Sequence, residues 1–325
     1  MTGVRAWEET DLNRVGGPAR VETGGTSPGP WFPVSDCSPA CLPGPAALPT
    51  VGPLRRVLRL AALLAVLLAG LLAVPAAPAL APRLARAAMR AVGVRVPLRP
   101  RDEVEPGSLV VANHSSWLDV VALVSLGRGR SPVRMLAKRE VGSWPLVGGL
   151  ARRTGALFVD RAALRNLPST VDAVAARLRG GESVGVFPEA TTWCLPARGR
   201  FRPAPFQAAI DAGAPVAPVT LWFTLADGAP TTAAGFLGEE SFLASLKRVI
   251  AVKGLLLHII PSPPFQAVGD RRALARRAET SVVHDALAGF VTYAHPTPRA
   301  VNTACPAPAF QDAVGGHLAA VTVPA

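Results

Sequence analysis

Hydrophobic positions along the chain fall into two regimes. The first is a continuous apolar run from Leu60 to Leu80, LAALLAVLLAGLLAVPAAPAL, 21 positions without a charge. As a straight helix it would reach ~31 Å at ~1.5 Å per residue, about one hydrocarbon thickness. Pro75 and Pro78 would kink or end that helix, leaving Leu60–Val74 as the clean stretch. Arg55, Arg56 and Arg59 precede the run and Arg83, Arg86 and Arg90 follow it, so flanking charge assigns no orientation. The run also starts too far along the chain for a cleaved signal peptide. In the next predicted helix Arg83, Arg86 and Arg90, three and four apart, share one face, with Leu84, Ala88 and Ala91 on another. A basic face beside an apolar run predicts an interfacial helix on anionic lipid.

The second regime begins near residue 104. Short runs rich in Val, Leu and Phe predict buried strands at Ser108–Ala112, Val133–Ala137, Ala156–Val159, Ser183–Phe187, Pro215–Phe223 and Gly254–Ile260. Helical patterns separate or follow them at Ser116–Leu126, Glu140–Arg153, Leu167–Arg179, Pro205–Ala212 and Arg271–Phe290, with Gly180-Gly181 and Gly213 as stops. Alternation of strand and helix predicts an α/β domain with a mostly parallel sheet flanked by helices. Residues 1–53, rich in Gly, Pro, Ser and Thr, predict a disordered tail. Residues 54–100 predict a membrane-associated helical segment, 101–294 the α/β domain, and 295–325, with Pro296, Pro298, Pro306 and Pro308, a loop-like tail.

Composition narrows the class. Half of the residues are hydrophobic, 17% are charged and the mean hydropathy is +0.31, which excludes a disordered chain. The net charge of +12 is carried almost wholly by arginine, the lysines being Lys138, Lys247 and Lys253. Such a balance implies anionic partners: phospholipid surfaces, phosphorylated small molecules or nucleic acid. Nucleic acid fits poorly, because aromatics are only 6% and the arginines are scattered rather than gathered on one recognition helix. Four scattered cysteines exclude a disulfide scaffold, and Cys37 and Cys41 read as ordinary thiols rather than a metal pair.

The string V-V-A-N-H-S-S-W-L-D, Val110 to Asp119, places a histidine and an aspartate five apart directly after a predicted strand. On a continuous helix the two would lie ~140° apart and could not meet. With His114 in the turn before the helix, and Ser115 or Ser116 capping it, the ring can fold back onto Asp119. Such a pair makes a general base, the carboxylate fixing the tautomer and stabilising the imidazolium. Three further strings follow: G-A-L-F-V-D-R (Gly155–Arg161), V-F-P-E-A-T-T (Val186–Thr192) and A-P-V-A-P-V (Ala214–Val219).

In order and spacing the four strings resemble the glycerolipid acyltransferase family of the lysophosphatidic acid acyltransferase type, over about residues 104–225. The resemblance implies a glycerol-3-phosphate acyltransferase-like fold and transfer of a fatty acyl group from acyl-CoA or acyl carrier protein to a lysophospholipid hydroxyl, with 1-acylglycerol 3-phosphate giving phosphatidic acid. It implies that His114 deprotonates the acceptor, that Asp119 orients His114, and that Asn113 shapes the turn. Arg161 would bind the acceptor phosphate in a pocket shaped by Gly155 and Phe158, while Pro188, Glu189 and Thr191 organise the acceptor site. It implies no cofactor and no metal, a lysophospholipid and membrane lipids as partners, and a cell-membrane location with the catalytic domain facing the cytoplasm.

The family's F-P-E-G-T-R block departs here at two positions. Its glycine is Ala190, where any positive φ would be strained, and its arginine is Thr192. Arg198, Arg200 and Arg202 follow and would supply the missing charge, with Arg200 as the expected substrate ligand. The departure points to the acceptor's head group, and a lyso-aminolipid is the alternative acceptor. A serine lipid hydrolase is the remaining alternative, because Gly181–Gly185 matches G-x-S-x-G, although a nucleophile elbow needs a strand before Ser183 and a helix after it. Cys194 reads as an ordinary pocket-lining cysteine.

Overall fold

The computed structural model describes residues 34–97, 104–127, 132–144, 146–160, 164–195 and 198–293, the side chains of 164 and 284–293 excepted. Their elements in chain order are α1 (Pro53–Ala73), α2 (Ala81–Ala91), β1 (Val94–Arg95), β2 (Leu109–Ala112), α3 (Trp117–Ser125), β3 (Arg134–Lys138), α4 (Val147–Arg153), β4 (Leu157–Val159), α5 (Leu167–Arg179), β5 (Val184–Val186), α6 (Ala204–Ala212), β6 (Pro215–Thr224), α7 (Phe242–Ala251), β7 (Leu255–Pro261), β8 (Phe265–Gln266) and α8 (Arg271–Tyr293). The sheet runs β1-β7-β6-β2-β5-β3-β4, with β8 beside the start of β6.

The five strands from β6 to β4 are all parallel, as the alternating pattern predicts. Crossover helices cover both faces, so the central strands are apolar throughout rather than alternating. Val110 and Ala112 face a core with Leu118 and Ala122 of α3, Met89 of α2 and Val249 of α7. Leu109 and Val111 face the opposite core, built with Leu178 of α5, Phe206 of α6 and Leu274 of α8. Two-residue periodicity thus divides one strand between two helical layers. The sheet is mixed only at one side: β7 and β8 run antiparallel to β6.

Helix α1 ends at Ala73, before Pro75, as the prolines require. Its beginning is earlier than the apolar run suggests, at Pro53, so Arg55, Arg56 and Arg59 are helical. It is long and apolar enough to cross a membrane, with little of it buried. Leu63, Leu67 and Gly70 form a narrow inward seam. A Cβ at Gly70 would meet Leu150 of α4 at 3.3 Å and Leu84 of α2 at 3.7 Å, so the glycine lets three helices converge. Arg59 Nη1 donates to Ile250 O (2.8 Å) and Val252 O (2.7 Å), which ties the helix start to the end of α7. Seven large side chains point outward: Leu54, Val57, Leu58, Leu60, Leu64, Leu68 and Leu72. Burying their exposed surface in an apolar phase would contribute on the order of several kcal/mol, comparable with the whole stability of a typical domain.

Several sequence expectations change in the structure. In α2 the inward face is Ala81, Ala85 and Met89, and Arg86 turns in to donate to Ser125 O through Nε (3.2 Å) and Nη2 (2.8 Å), leaving Arg83 and Arg90 exposed. The expected helix Glu140–Arg153 divides into a 3-10 turn, Arg139–Ser143, and α4. Trp144 before Pro145 is extended, the conformation a following proline imposes. Helix α7 was not foreseen, although Ser241 caps it and Leu246, Val249 and Ile250 line its buried side. Residues 34–52, expected in a disordered tail, carry two 3-10 turns and bury Cys37, Cys41, Leu42, Leu48 and Val51. Short hydrogen bonds to the body, such as Thr232 Oγ1 to Cys41 O at 2.7 Å, hold them there.

Candidate active site

In a parallel sheet the carboxyl ends of the strands share one edge, and the loops beyond them carry the chemistry. The candidate site lies beyond the ends of β2 and β5. The ladder between β2 and β6 continues to Ala112, paired with Val219. Asn113 then extends it with its side chain: Nδ2 donates to Leu221 O and Oδ1 accepts from Leu221 N, both at 2.8 Å. An amide copying a peptide bond ends the strand without leaving β6 unpaired and frees the main chain to turn. Asn113 is 2% exposed and positions the turn; it faces the protein.

His114 occupies that turn, ahead of the cap of α3, so the ring reaches the carboxylate that helix geometry would have denied it. Nδ1 lies 3.1 Å from Asp119 Oδ2. The same oxygen accepts from Ser115 N at 2.6 Å and Ser116 N at 2.7 Å. Ser116 Oγ in return accepts from Leu118 N at 3.2 Å, which completes a capping box. Asp119 is therefore the acidic member of the capping box of α3 and the partner of His114 at once. With a carboxylate as acceptor, Nδ1 carries the proton and Nε2 keeps its lone pair. Nε2 makes no hydrogen bond to a described residue, and the His114 side chain keeps 18% of its surface exposed while Asp119 keeps none. The imidazole lies flat on Phe187, centroids 4.0 Å apart at 9°.

The loop after β5 grips His114 by its backbone. Glu189 Oε2 accepts from His114 N at 2.6 Å, and Trp193 N donates to His114 O at 2.7 Å. Glu189 Oε1 accepts from Gly199 N at 3.3 Å. Burial pushes the Glu189 carboxyl up to about 8, against the downward pull of those two N–H donors and of the Arg198 guanidinium. Ala190 adopts φ +63°, the left-handed conformation a glycine would accept without strain. Its N–H closes a turn onto Phe187 O at 3.0 Å.

The other predicted site residues separate. Glu189, Pro188 and Thr191 stand on the loop that holds His114. Arg200 is exposed and, with Glu189, Gly199 and Arg202, lines a cleft of about 360 Å³. Phe158 belongs to β4 at the sheet margin, separated from β2 by β3 and β5, and Gly155 precedes that strand. Gly155 turns the chain into β4 at φ +75°, and the Phe158 ring packs against Gly142. Arg161 lies outside the described residues. Ser183 precedes β5, is 2% exposed and donates to Glu105 O at 3.2 Å, which removes the nucleophile-elbow reading and its hydrolase. Sequence reasoning missed the roles of Phe187 and Trp193; only their adjacency to the glutamate block hinted at them. Cys37, Cys41 and Cys194 converge behind the loop as the one group of three metal-type ligands among the described residues.

A family model described as Acyltransferase matches residues 94–222. The chain is 33% identical over 190 residues to the 1-acyl-sn-glycerol-3-phosphate acyltransferase of Neisseria meningitidis serogroup B, covering 57% of this chain and 71% of that one. It is 34% identical over 175 residues to the lyso-ornithine lipid O-acyltransferase of Pseudomonas aeruginosa, covering 54% and 66%. The crystal structure of the 1-acyl-sn-glycerophosphate (LPA) acyltransferase PlsC of Thermotoga maritima superimposes with a TM-score of 0.48 at 17% identity, covering 75% of this chain and all of that one.

Two predictions follow from the loop. Ala190→Gly relieves the left-handed alanine and is expected to raise stability by about 1 kcal/mol, a thermal midpoint higher by about 2–4 °C; an unchanged or lower midpoint would show that the turn carries no strain. The Glu189 carboxyl ionises near 4.5 when unfolded and near 8 when folded. Its contribution to stability is then full below the lower value and is lost as pH rises through the upper one. Glu189→Gln is neutral throughout, so from roughly pH 5 to pH 8 the wild type should lose thermal midpoint relative to the variant. Parallel curves over that range would mean that the carboxyl titrates normally.

Proposed function

The chain belongs to the acyltransferase family, and we propose that it is a membrane-bound O-acyltransferase moving a fatty acyl group onto the free hydroxyl of a lysolipid. The observation that carries this reading is the His114–Asp119 pair, 3.1 Å apart and held at the carboxyl edge of the sheet with Nε2 still available. His114 Nε2 takes the proton of the acceptor hydroxyl as its oxygen attacks the thioester carbonyl. Asp119 stabilises the imidazolium that forms. Collapse of the tetrahedral intermediate breaks the carbon–sulfur bond, and the imidazolium returns the proton to the leaving thiolate. Every atom needed is supplied by the two substrates and one imidazole, so no cofactor enters the scheme.

The acceptor is a 1-acylglycerol 3-phosphate, which gives phosphatidic acid, and the donor is acyl-CoA or acyl carrier protein. Support comes from the Neisseria meningitidis relative and from the arginines beyond β5, where Arg200 and Arg202 line the cleft beside Glu189. A guanidinium suits a phosphate fork, and Arg161, two residues beyond β4 in the sequence, is assigned to it with Arg200. Thr192 in place of the family's arginine favours a second acceptor, a lyso-aminolipid, and the Pseudomonas aeruginosa relative supports that alternative. Helix α1, with its outward apolar side, attaches the enzyme to the membrane in which a lysolipid dissolves. The catalytic domain faces the cytoplasm, where both donors reside.

In purified protein, His114→Ala is expected to lower acyl transfer by about 10²–10⁴; equal rates would remove the base from the scheme. Arg161→Ala should raise the acceptor KM with little change in kcat, measured on a panel of lysophosphatidate, glycerol 3-phosphate and lyso-ornithine lipid with labelled acyl-CoA or acyl carrier protein and read by mass spectrometry. Transfer to lyso-ornithine lipid alone would replace the phosphate acceptor by the aminolipid, and an unmoved KM would free Arg161 of its role.

A further inference from the structure

Three thiols from two distant stretches of chain meet at one point behind the active-site loop. Cys37, Cys41 and Cys194 are each at most 3% exposed, and their Sγ atoms all lie within 4.8 Å of one another. Leu42, Leu237 and Trp193 enclose them. Apolar packing would be satisfied by any side chains of that size; it does not require three sulfurs to converge head to head. Three sulfurs bound to one zinc at ~2.3 Å in tetrahedral array stand ~3.8 Å apart, so a small closing movement completes the geometry. Cys194 N donates to Cys37 Sγ at 3.2 Å, the kind of backbone donor that offsets the charge of a metal-bound thiolate.

From this convergence we propose that Cys37, Cys41 and Cys194 bind one Zn²⁺ as a structural site. Soft thiolates select zinc over the hard cations. Binding replaces up to three thiol protons by the metal, and the three thiolates with Zn²⁺ carry a net charge of −1; three sulfurs are one ligand short of the closed four-ligand set, and an exogenous donor such as water completes the tetrahedron. The site is separate from the reacting groups. Its effect is mechanical, because Cys194 follows Trp193, whose N–H holds His114 O at 2.7 Å. On the other side Cys41 O accepts from Thr232 Oγ1 at 2.7 Å, and Thr192 Oγ1 donates to Phe236 O at 2.5 Å. A metal here staples residues 37–41 to the loop that clamps the catalytic imidazole.

The test uses the full chain purified in detergent from zinc-supplemented cells, with metal content measured by mass spectrometry and, after replacement by Co²⁺, the near-ultraviolet thiolate-to-cobalt absorption. About one zinc per chain and a thiolate–cobalt band are expected for the wild type, with loss of both in Cys37→Ser, Cys41→Ser and Cys194→Ser and retention of both in Cys305→Ser. The wild-type measurements stand even if a serine variant fails to fold. A wild type that holds no stoichiometric zinc and gives no cobalt–thiolate band, or a disulfide between two of the three cysteines in peptides mapped without reduction, overturns the proposal. Neither readout depends on acyl transfer, so the metal site and the enzymatic reading stand or fall separately.

Discussion

One carboxylate oxygen organises the turn after β2. Asp119 Oδ2 collects the N–H groups of Ser115 and Ser116 and the imidazole of His114. The bond from Ser116 N is that of a capping box and starts α3, the bond from Ser115 N reinforces it, and the third contact uses the same fixed oxygen to aim a ring. Aiming therefore costs no additional ordering, since the acid is already immobilised by its cap. The remaining restraints enter from the loop after β5, where Glu189, Trp193 and Phe187 hold backbone and ring. Backbone and ring of His114 are thus both held by groups of the fold itself, the kind of positioning that a proposed base needs for oriented proton transfer.

What was readable in the sequence follows from the range of the interactions involved. Strand β2 announced itself because both its faces are buried, so the apolar run is unbroken. The meeting of His114 and Asp119 was readable only on condition that the histidine precede the helix, and Ser116 supplies that boundary locally. Phe187 beneath the ring could not be read, because it depends on β5 lying next to β2 in the sheet. The two-residue strands β1 and β8 exist only through their neighbours β7 and β6 and carry no periodicity of their own. Cys37 and Cys41 looked like loop thiols for the same reason: Cys194 joins them through the fold, not through spacing. Helix α7, by contrast, has its cap, Ser241, and its buried side written locally.

Two departures from the family's block meet in one loop with different consequences. Ala190 keeps the left-handed turn that its position demands and bears the strain, so the backbone path toward Glu189 and Trp193 is preserved. Thr192 does not reproduce the lost charge; its hydroxyl instead bonds Phe236 O, which fastens the loop to the segment before α7. The change at 190 thus leaves the imidazole clamp intact, while the change at 192 exchanges a ligand-type side chain for an internal tether. In the proposed scheme the base and the choice of acceptor would in this way rest on different residues.

The seam of α1 has a mechanical consequence. Arg59 fastens its beginning to the end of α7, and Gly70 lets its far half nest against α2 and α4. Held at two places, the helix cannot swing on its own, and its oily outer side travels with the sheet as one piece. With that side immersed in a bilayer, a change in membrane thickness that shifted α1 would carry the sheet and the His114 turn with it.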